Sequence, residues 1–256
     1  THGFGGTYEG ISNGLHTDCS FYSSQWNKPF STGIGGILYV KNETLLPAIE
    51  NLKKELKTPS IKNVLVLRTL LFARMYVLKN WSYWFLLRLY RKLSALGLVV
   101  GSSSKQEIES IDEPHDYFMG LSDVQAKNGV KALNKLDTVL QIRKKNGHLV
   151  NDWMKDHHKY HLTAGILRNH SFLKFPALVK DRALFLKAAE NHKIPMGDWF
   201  TSPLHPVQGD LSEWKLSVAE FPNALEISAQ IVNLPTDLDD MGPLLDFLEK
   251  HKNELL

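Results

Sequence analysis

A single cysteine, Cys19, stands in 256 residues, so no internal disulfide can form, and this sparing use suits a reducing, cytoplasmic setting. Net charge is nearly missing as well. Thirty Lys and Arg against 27 Asp and Glu leave +3, too weak a bias to imply a nucleic-acid partner, and no basic patch is interleaved with aromatics in an RNA-binding manner. No uncharged apolar run reaches the roughly 18 residues that a spanning helix requires. There is no internal repeat and no low-complexity tract. The chain opens on Thr1 without a signal peptide, and is expected to be the downstream part of something longer. Acid is absent altogether between Lys62 and Ser104.

What is present is 43% hydrophobic residues, enough to bury a core in one large domain or two smaller ones. The chemistry-bearing stretch is Ser23-Ser24-Gln25-Trp26-Asn27-Lys28-Pro29-Phe30-Ser31-Thr32-Gly33-Ile34-Gly35-Gly36. A lone lysine lies between a hydroxyl five residues upstream and a glycine-rich turn. That arrangement suits pyridoxal phosphate (PLP): the amine can form a Schiff base with the cofactor aldehyde, and a hydroxyl can bond its phosphate. Glycines let backbone approach without a Cβ in the way. Read locally, the same residues also fit a solvated surface lysine beside an ordinary turn.

The wider register separates the two readings. Residues 2–40, from His2-Gly3-Phe4-Gly5-Gly6 through Asp18-Cys19-Ser20 to Gly36-Ile37-Leu38-Tyr39-Val40, resemble the core signature of the DegT/StrS-type nucleotide-sugar aminotransferases, a fold-type I PLP family. His2 takes the family's His/Gln position, with Gly5 and Gly10 behind it. Asp18 lies ten residues before Lys28, Ser23 falls on the phosphate-binding serine and Lys28 on the Schiff-base lysine. Further along, Leu121-Ser122-Asp123-Val124-Gln125-Ala126 is similar to the element that opens the long interdomain helix, continued by Val130, Leu133, Leu136 and Leu140 at helical spacing. Phe175–Val179, Ser202–Pro206 and Ile231–Pro235 resemble the small-domain elements, whereas residues from about 42 to 116 match poorly.

The resemblance implies an α/β chain: the end of a large-domain sheet, a long connecting helix and a small α/β C-terminal domain. It places the large-domain part in 1–115, with a cationic amphipathic insertion at about 61–98, and the connecting helix with the small domain in 116–256. It implies a cytoplasmic homodimer that binds PLP through Lys28, Ser23 and His2. Such an enzyme transfers an amino group, from a donor such as glutamate, to a nucleotide-linked keto-sugar for polysaccharide or glycan assembly. Lys28 would then be the catalytic general acid/base. Some relatives are PLP-dependent sugar dehydratases in which a histidine replaces the lysine, and Lys28 argues against that chemistry. The family's ring-nitrogen aspartate would precede Thr1, so the chain alone is expected to bind PLP weakly and not to transaminate. A non-catalytic, partner-dependent half is the remaining alternative. The family's turn glutamate is Ile34 here, and its Asn-Tyr-Arg reads Phe118-Met119-Gly120.

Strands are expected at 17–24 and 34–41, an amphipathic helix at Thr44–Lys57, and a loop over 99–115. The C-terminal part reads as strand, helix, strand and a last helix opening near Asp239 or Asp240, with Pro243 in its first turn. In the 61–98 stretch, apolar and aromatic residues alternate with Arg68, Arg74, Lys79, Arg88, Arg91 and Lys92. It fits a peripheral contact with an anionic membrane, or helices packed against an N-terminal half expected to precede this chain or against a second subunit, with the arginines reaching to solvent. Asp156-His157-His158-Lys159-Tyr160-His161 has poor metal-ligand spacing and reads as surface histidines. His205 suits either a substrate contact or a structural role, and Arg143-Lys144-Lys145 reads as a solvated helix face.

Overall fold

The computed structural model describes residues 3–96, 110–113 and 117–256. The expected loop over 99–115 and the end of the cationic segment therefore fall largely outside the described residues. The described chain forms two compact units, each assembled from separated stretches: the described parts of Thr1–Val77, His115–Lys144 and Ala164–Leu173 in one, and of Leu78–Pro114, Lys145–Thr163 and Lys174–Leu256 in the other.

The first unit holds two short antiparallel pairs. β1 (Thr7–Tyr8) pairs with β2 (Ile11–Ser12), and β3 (Cys19–Ser23) pairs with β4 (Gly36–Val40) in the register Cys19↔Val40 to Ser23↔Gly36. A 3₁₀ turn at Glu43–Leu45, capped by the Asn42 side chain, leads into α1 (Leu46–Lys53) with Pro47 in its first turn. This is shorter than the helix expected over Thr44–Lys57. α2 (Ile61–Tyr76) starts where Ser60 Oγ accepts the Asn63 N–H, and it buries Leu67 and Leu71. Its N-terminal end is tied down by Lys57, whose N–H donates to Phe118 O at 2.8 Å and whose C=O accepts from Gly120 N at 3.0 Å.

The long helix expected from residue 123 onward is interrupted. α4 (Asp123–Leu133) ends at Asn134, and α5 (Leu136–Asp156) begins after a break in which Lys135 N–H turns back to Ala132 O. Leu136 and Leu140 keep their helical spacing, yet spacing alone cannot reveal a two-residue break. A second expectation changes too. Arg143 is buried, not solvated, and its Nη1 donates to Leu173 O at 2.5 Å, because α5 presents this position inward.

The second unit contains most of the fully buried side chains. α3 (Tyr83–Ala95) belongs to it, anchored where Trp84 Nε1 donates to Ile194 O at 2.9 Å and Tyr83 Oη to Met196 O at 3.3 Å. β5 (Phe175–Leu178) pairs antiparallel with β6 (Ile231–Leu234), and the tail extends this pairing where Leu256 N–H donates to Leu178 O at 3.0 Å. α7 (Arg182–Asn191), capped by Asp181, and α9 (Gly242–Lys250) cover the strands with Phe185, Ala189, Leu244, Phe247 and Leu248. α8 (Pro222–Gln230) runs straight into β6, while α6 (Ala164–Asn169) belongs to the first unit. Strand, helix, strand and terminal helix thus stand as expected, with α8 added. Two buried amides are answered by backbone: Asn146 Nδ2 donates to Thr236 O and Leu238 O at 3.0 and 2.8 Å, and Asn151 Oδ1 accepts from Leu162 N at 2.7 Å.

Phe185 is wholly buried and meets Phe247 edge to face at 5.2 Å. Phe185→Ala is therefore expected to destabilise this unit by about 3–5 kcal/mol, the cost of lost contacts plus a cavity, measurable as a fall in the urea midpoint.

Candidate functional site

The β3–β4 hairpin brings Lys28 into a twelve-residue excursion whose shape is set by hydrogen bonds at its neck. Directly after β3, Ser24 N–H donates to Gly35 O and Thr32 N–H to Ser24 O, each at 2.9 Å. Ser24 and Thr32 are buried, and their hydroxyls pair at 2.7 Å. Within the loop Lys28 N–H turns back to Gln25 O at 3.0 Å. The result is a closed loop rather than a loose one, with the lysine at its bend.

α4 locks this loop from one side. Its N-terminus carries a capping box, in which Ser122 and Gln125 satisfy each other's backbone donors. The same Gln125 side chain turns its Nε2 outward to donate to Ile34 O, and Asn128 Nδ2 donates to Ser31 O at 2.8 Å. One turn on, a Cβ at Gly129 would lie 3.1 Å from Thr32 Cγ2 and 3.4 Å from Phe30 Cζ, so a glycine allows helix and loop to close together. α2 supplies the other wall. Gly33 has φ +95°, and a Cβ there would meet Leu67 Cδ1 at 2.8 Å.

Lys28 is half-buried, and burial lowers its amine from the usual 10.5 to about 8. Desolvation disfavours the ammonium form, so at neutral to mildly basic pH a substantial fraction is a neutral nucleophile. Ser23, last in β3 and half-buried, accepts the Gln25 N–H on its Oγ at 3.3 Å, which leaves its O–H as a donor for an anion. His2, the third expected cofactor residue, lies outside the described residues. Asp18 instead organises the hairpin's open end, its C=O accepting from Lys41 N and Asn42 N at 2.8 and 3.0 Å.

Three residues that hold the loop had no individual signal in the sequence. Gln125 lies inside Leu121–Ala126, where the resemblance gives it no role, while Asn128 has its partner about 100 residues away in the chain and Thr32 has its partner 8 residues away. The amine, hydroxyl and glycine backbone of this loop fit a phosphate-bearing aldehyde, since they offer a nucleophile and a donor on a fixed scaffold.

The DegT/DnrJ/EryC1/StrS aminotransferase family model matches residues 86–241, more than half of the chain. The chain belongs to this family. The matched span takes in 86–116, part of the stretch where the resemblance is poor, and lies downstream of the lysine loop. No curated protein matches this DegT/DnrJ/EryC1/StrS member significantly. Among solved structures it is similar to Spr1654 of Streptococcus pneumoniae, described as a sugar aminotransferase and solved in its PMP form, with 17% identity, TM-score 0.61, and 97% of this chain covering 55% of that one. It is also similar to the E. coli GDP-4-keto-6-deoxy-D-mannose-3-dehydratase with bound hydrated PLP, with 17% identity, TM-score 0.54, and 97% of this chain on 58% of the other. These likenesses establish the fold, mixed α/β of the kind found in PLP-dependent sugar aminotransferases, as expected from the sequence. The chain spans a little over half the length of the structures it matches.

In the second unit, His205 is held by Thr201, whose N–H approaches its Nδ1 at 3.3 Å, and burial lowers the imidazole below its usual value. His157 of the histidine run is likewise engaged, with Nδ1 on Trp153 O at 2.8 Å and Nε2 on Glu249 at 2.9 Å.

Because the folded amine sits near 8 and the unfolded one near 10.5, the unfolded chain binds more protons between those values. Stability from this group is therefore lowest below pH 8 and rises between pH 8 and 10.5. Lys28→Met should raise the thermal midpoint at pH 7, by an amount equivalent to on the order of 1 kcal/mol after discounting for solvent screening. The difference from the unmodified chain should vanish as melts are repeated toward pH 10.5.

Proposed function

We propose that this chain supplies the lysine-bearing part of a PLP-dependent aminotransferase that acts on a nucleotide-linked keto-sugar, with an amino donor such as glutamate. The observation that supports this most is the half-buried Lys28 amine, lowered to about 8, on a loop fixed by Gln125 and Asn128. Membership of an aminotransferase family gives the reaction class its support.

In this reading Lys28 Nζ would anchor the cofactor aldehyde, Ser23 Oγ would donate to its phosphate, and His2 would supply a contact to its ring. When bound, PLP supplies the electron sink that makes loss of a proton from an amino-bearing carbon feasible. Lys28, released as a free amine once the amino donor takes its place on the aldehyde, would accept the proton from the donor's Cα and return it later as general acid. Burial that lowers the amine serves both roles, since a fully solvated lysine would stay protonated. A lysine at this position favours amino transfer over the dehydration that the resemblance links to histidine. The reading extends to a homodimer that works in the cytoplasm and feeds glycan or polysaccharide assembly.

The test is chemical. After incubation with PLP at pH 8, borohydride reduction and peptide mapping should find the adduct concentrated on Lys28 rather than spread over the other lysines. Ser23→Ala should weaken that labelling several-fold. Labelling distributed over exposed lysines, with Lys28 no more reactive than the rest, would overturn the assignment.

A further inference from the structure

We propose that Asn128 and Gln125 of α4 are positioning residues for Lys28: by holding Ser31 O and Ile34 O they fix where the lysine amine stands, and so how selectively it reacts with an aldehyde. The inference rests on the reading of Lys28 as the aldehyde-binding lysine. It adds to that reading a control exerted by side chains 97 and 91 residues along the chain from the carbonyls they hold.

Lys28 sits at the head of a short arm that α4 grips. Pro29 follows it, and a proline fixes its own φ and narrows the backbone choices of the residue before it. Phe30 comes next and is buried, with its ring against the backbone of Gly129, where a Cβ would lie 3.4 Å from Phe30 Cζ. Ser31 then gives its carbonyl to Asn128 Nδ2 at 2.8 Å. On the other side of the lysine its own N–H donates to Gln25 O at 3.0 Å. Further along the arm Thr32 is buried and bonded to Ser24, and Gln125 Nε2 donates to Ile34 O. Between Lys28 and the carbonyl that Asn128 holds lie one ring-locked residue and one packed one, so displacement of that carbonyl carries directly to the lysine.

The use that each amide makes of its donor points to the loop rather than to the helix. Asn128 lies in the interior of α4, where asparagine is a poor helix former and the helix needs nothing from its side chain. Its amide is directed to Ser31 O. Gln125 divides its work: the oxygen accepts from Ser122 N at 2.9 Å and completes the cap, while the nitrogen reaches Ile34 O. A capping box is served equally by glutamate, which offers the oxygens but no donor. Only the loop uses what distinguishes glutamine. The state of the amine depends on the same arm. Release of the arm would admit water to Nζ and remove the desolvation that lowers it from 10.5 to about 8.

The experiment follows the Lys28 amine itself in the full 256-residue chain. Competitive acetylation with acetic anhydride across the alkaline range, resolved by peptide mapping, gives a titration midpoint for each lysine and needs no cofactor. In the unmodified chain Lys28 should titrate near 8. Asn128→Leu and Gln125→Leu should each raise that midpoint by about one pH unit, a roughly tenfold loss of neutral amine at neutral pH. Borohydride-trapped PLP on Lys28 should fall by a similar factor. Ser122→Ala is the control for damage to the helix: it weakens the cap but leaves the Gln125 donor in place, so it should lower the thermal midpoint without moving Lys28. Unmoved Lys28 midpoints in both leucine variants would overturn the inference. So would an equal shift in Ser122→Ala, since the lysine would then merely follow the stability of α4. Diffuse PLP labelling of the unmodified chain would instead overturn the assignment of the aldehyde to Lys28, and the acetylation midpoints would still decide whether α4 positions the amine.

Discussion

The Gln125 amide is the hinge-pin of the first unit. Its oxygen completes the capping box at the start of α4, and its nitrogen donates to Ile34 O in the glycine turn. One side chain therefore fixes a helix terminus and the neck of the lysine loop together. A buried amide that satisfies both ends in this way is costly to disturb, because either break would leave a polar group unanswered. The loop's closing bonds, from Ser24 to Gly35 and from Thr32 to Ser24, then hold Lys28 at a defined bend. Its half-burial, and hence its lowered amine, follows from that geometry.

The two units differ in how they are held. The second has a dense apolar centre built from Phe175, Phe185, Leu234, Leu244, Phe247 and Leu248, and its few buried amides are answered by backbone. In the first, buried apolar side chains are few, among them Phe30, Leu67, Leu71 and Phe172, while Phe21, Ile37, Leu38 and Tyr39 of the hairpin are exposed. Hydrogen bonds and close glycine contacts accordingly take a larger share of the ordering around the lysine. α2 joins this site to the outer surface, since one face touches the loop and the other is apolar and cationic.

Much of this organisation was legible from short-range pattern. The strands around the loop, the helix opened by Leu121–Ala126, and the strand–helix–strand–helix order of the C-terminal part each depend on residues within a few positions of one another. The misreadings were of another kind. Arg143 looked like one member of a solvated basic run, and only the approach of Leu173 O explains its burial. The break between α4 and α5 likewise escapes periodicity, because Leu133, Leu136 and Leu140 keep their spacing across it.

By itself the sequence determined which groups are available for chemistry: a lysine with a hydroxyl five residues before it, a glycine turn after it, and a cationic stretch without acid. Residue identity and local spacing suffice for that, because they set nucleophiles, donors and charge. Tertiary structure decided what those groups become. Burial, a property of the folded chain, lowers Lys28, and contacts from Gln125, Asn128 and Leu67, distant in sequence, fix the loop. Which face of α2 meets the core and which meets solvent was settled in the same way, by packing against residues that no local pattern names.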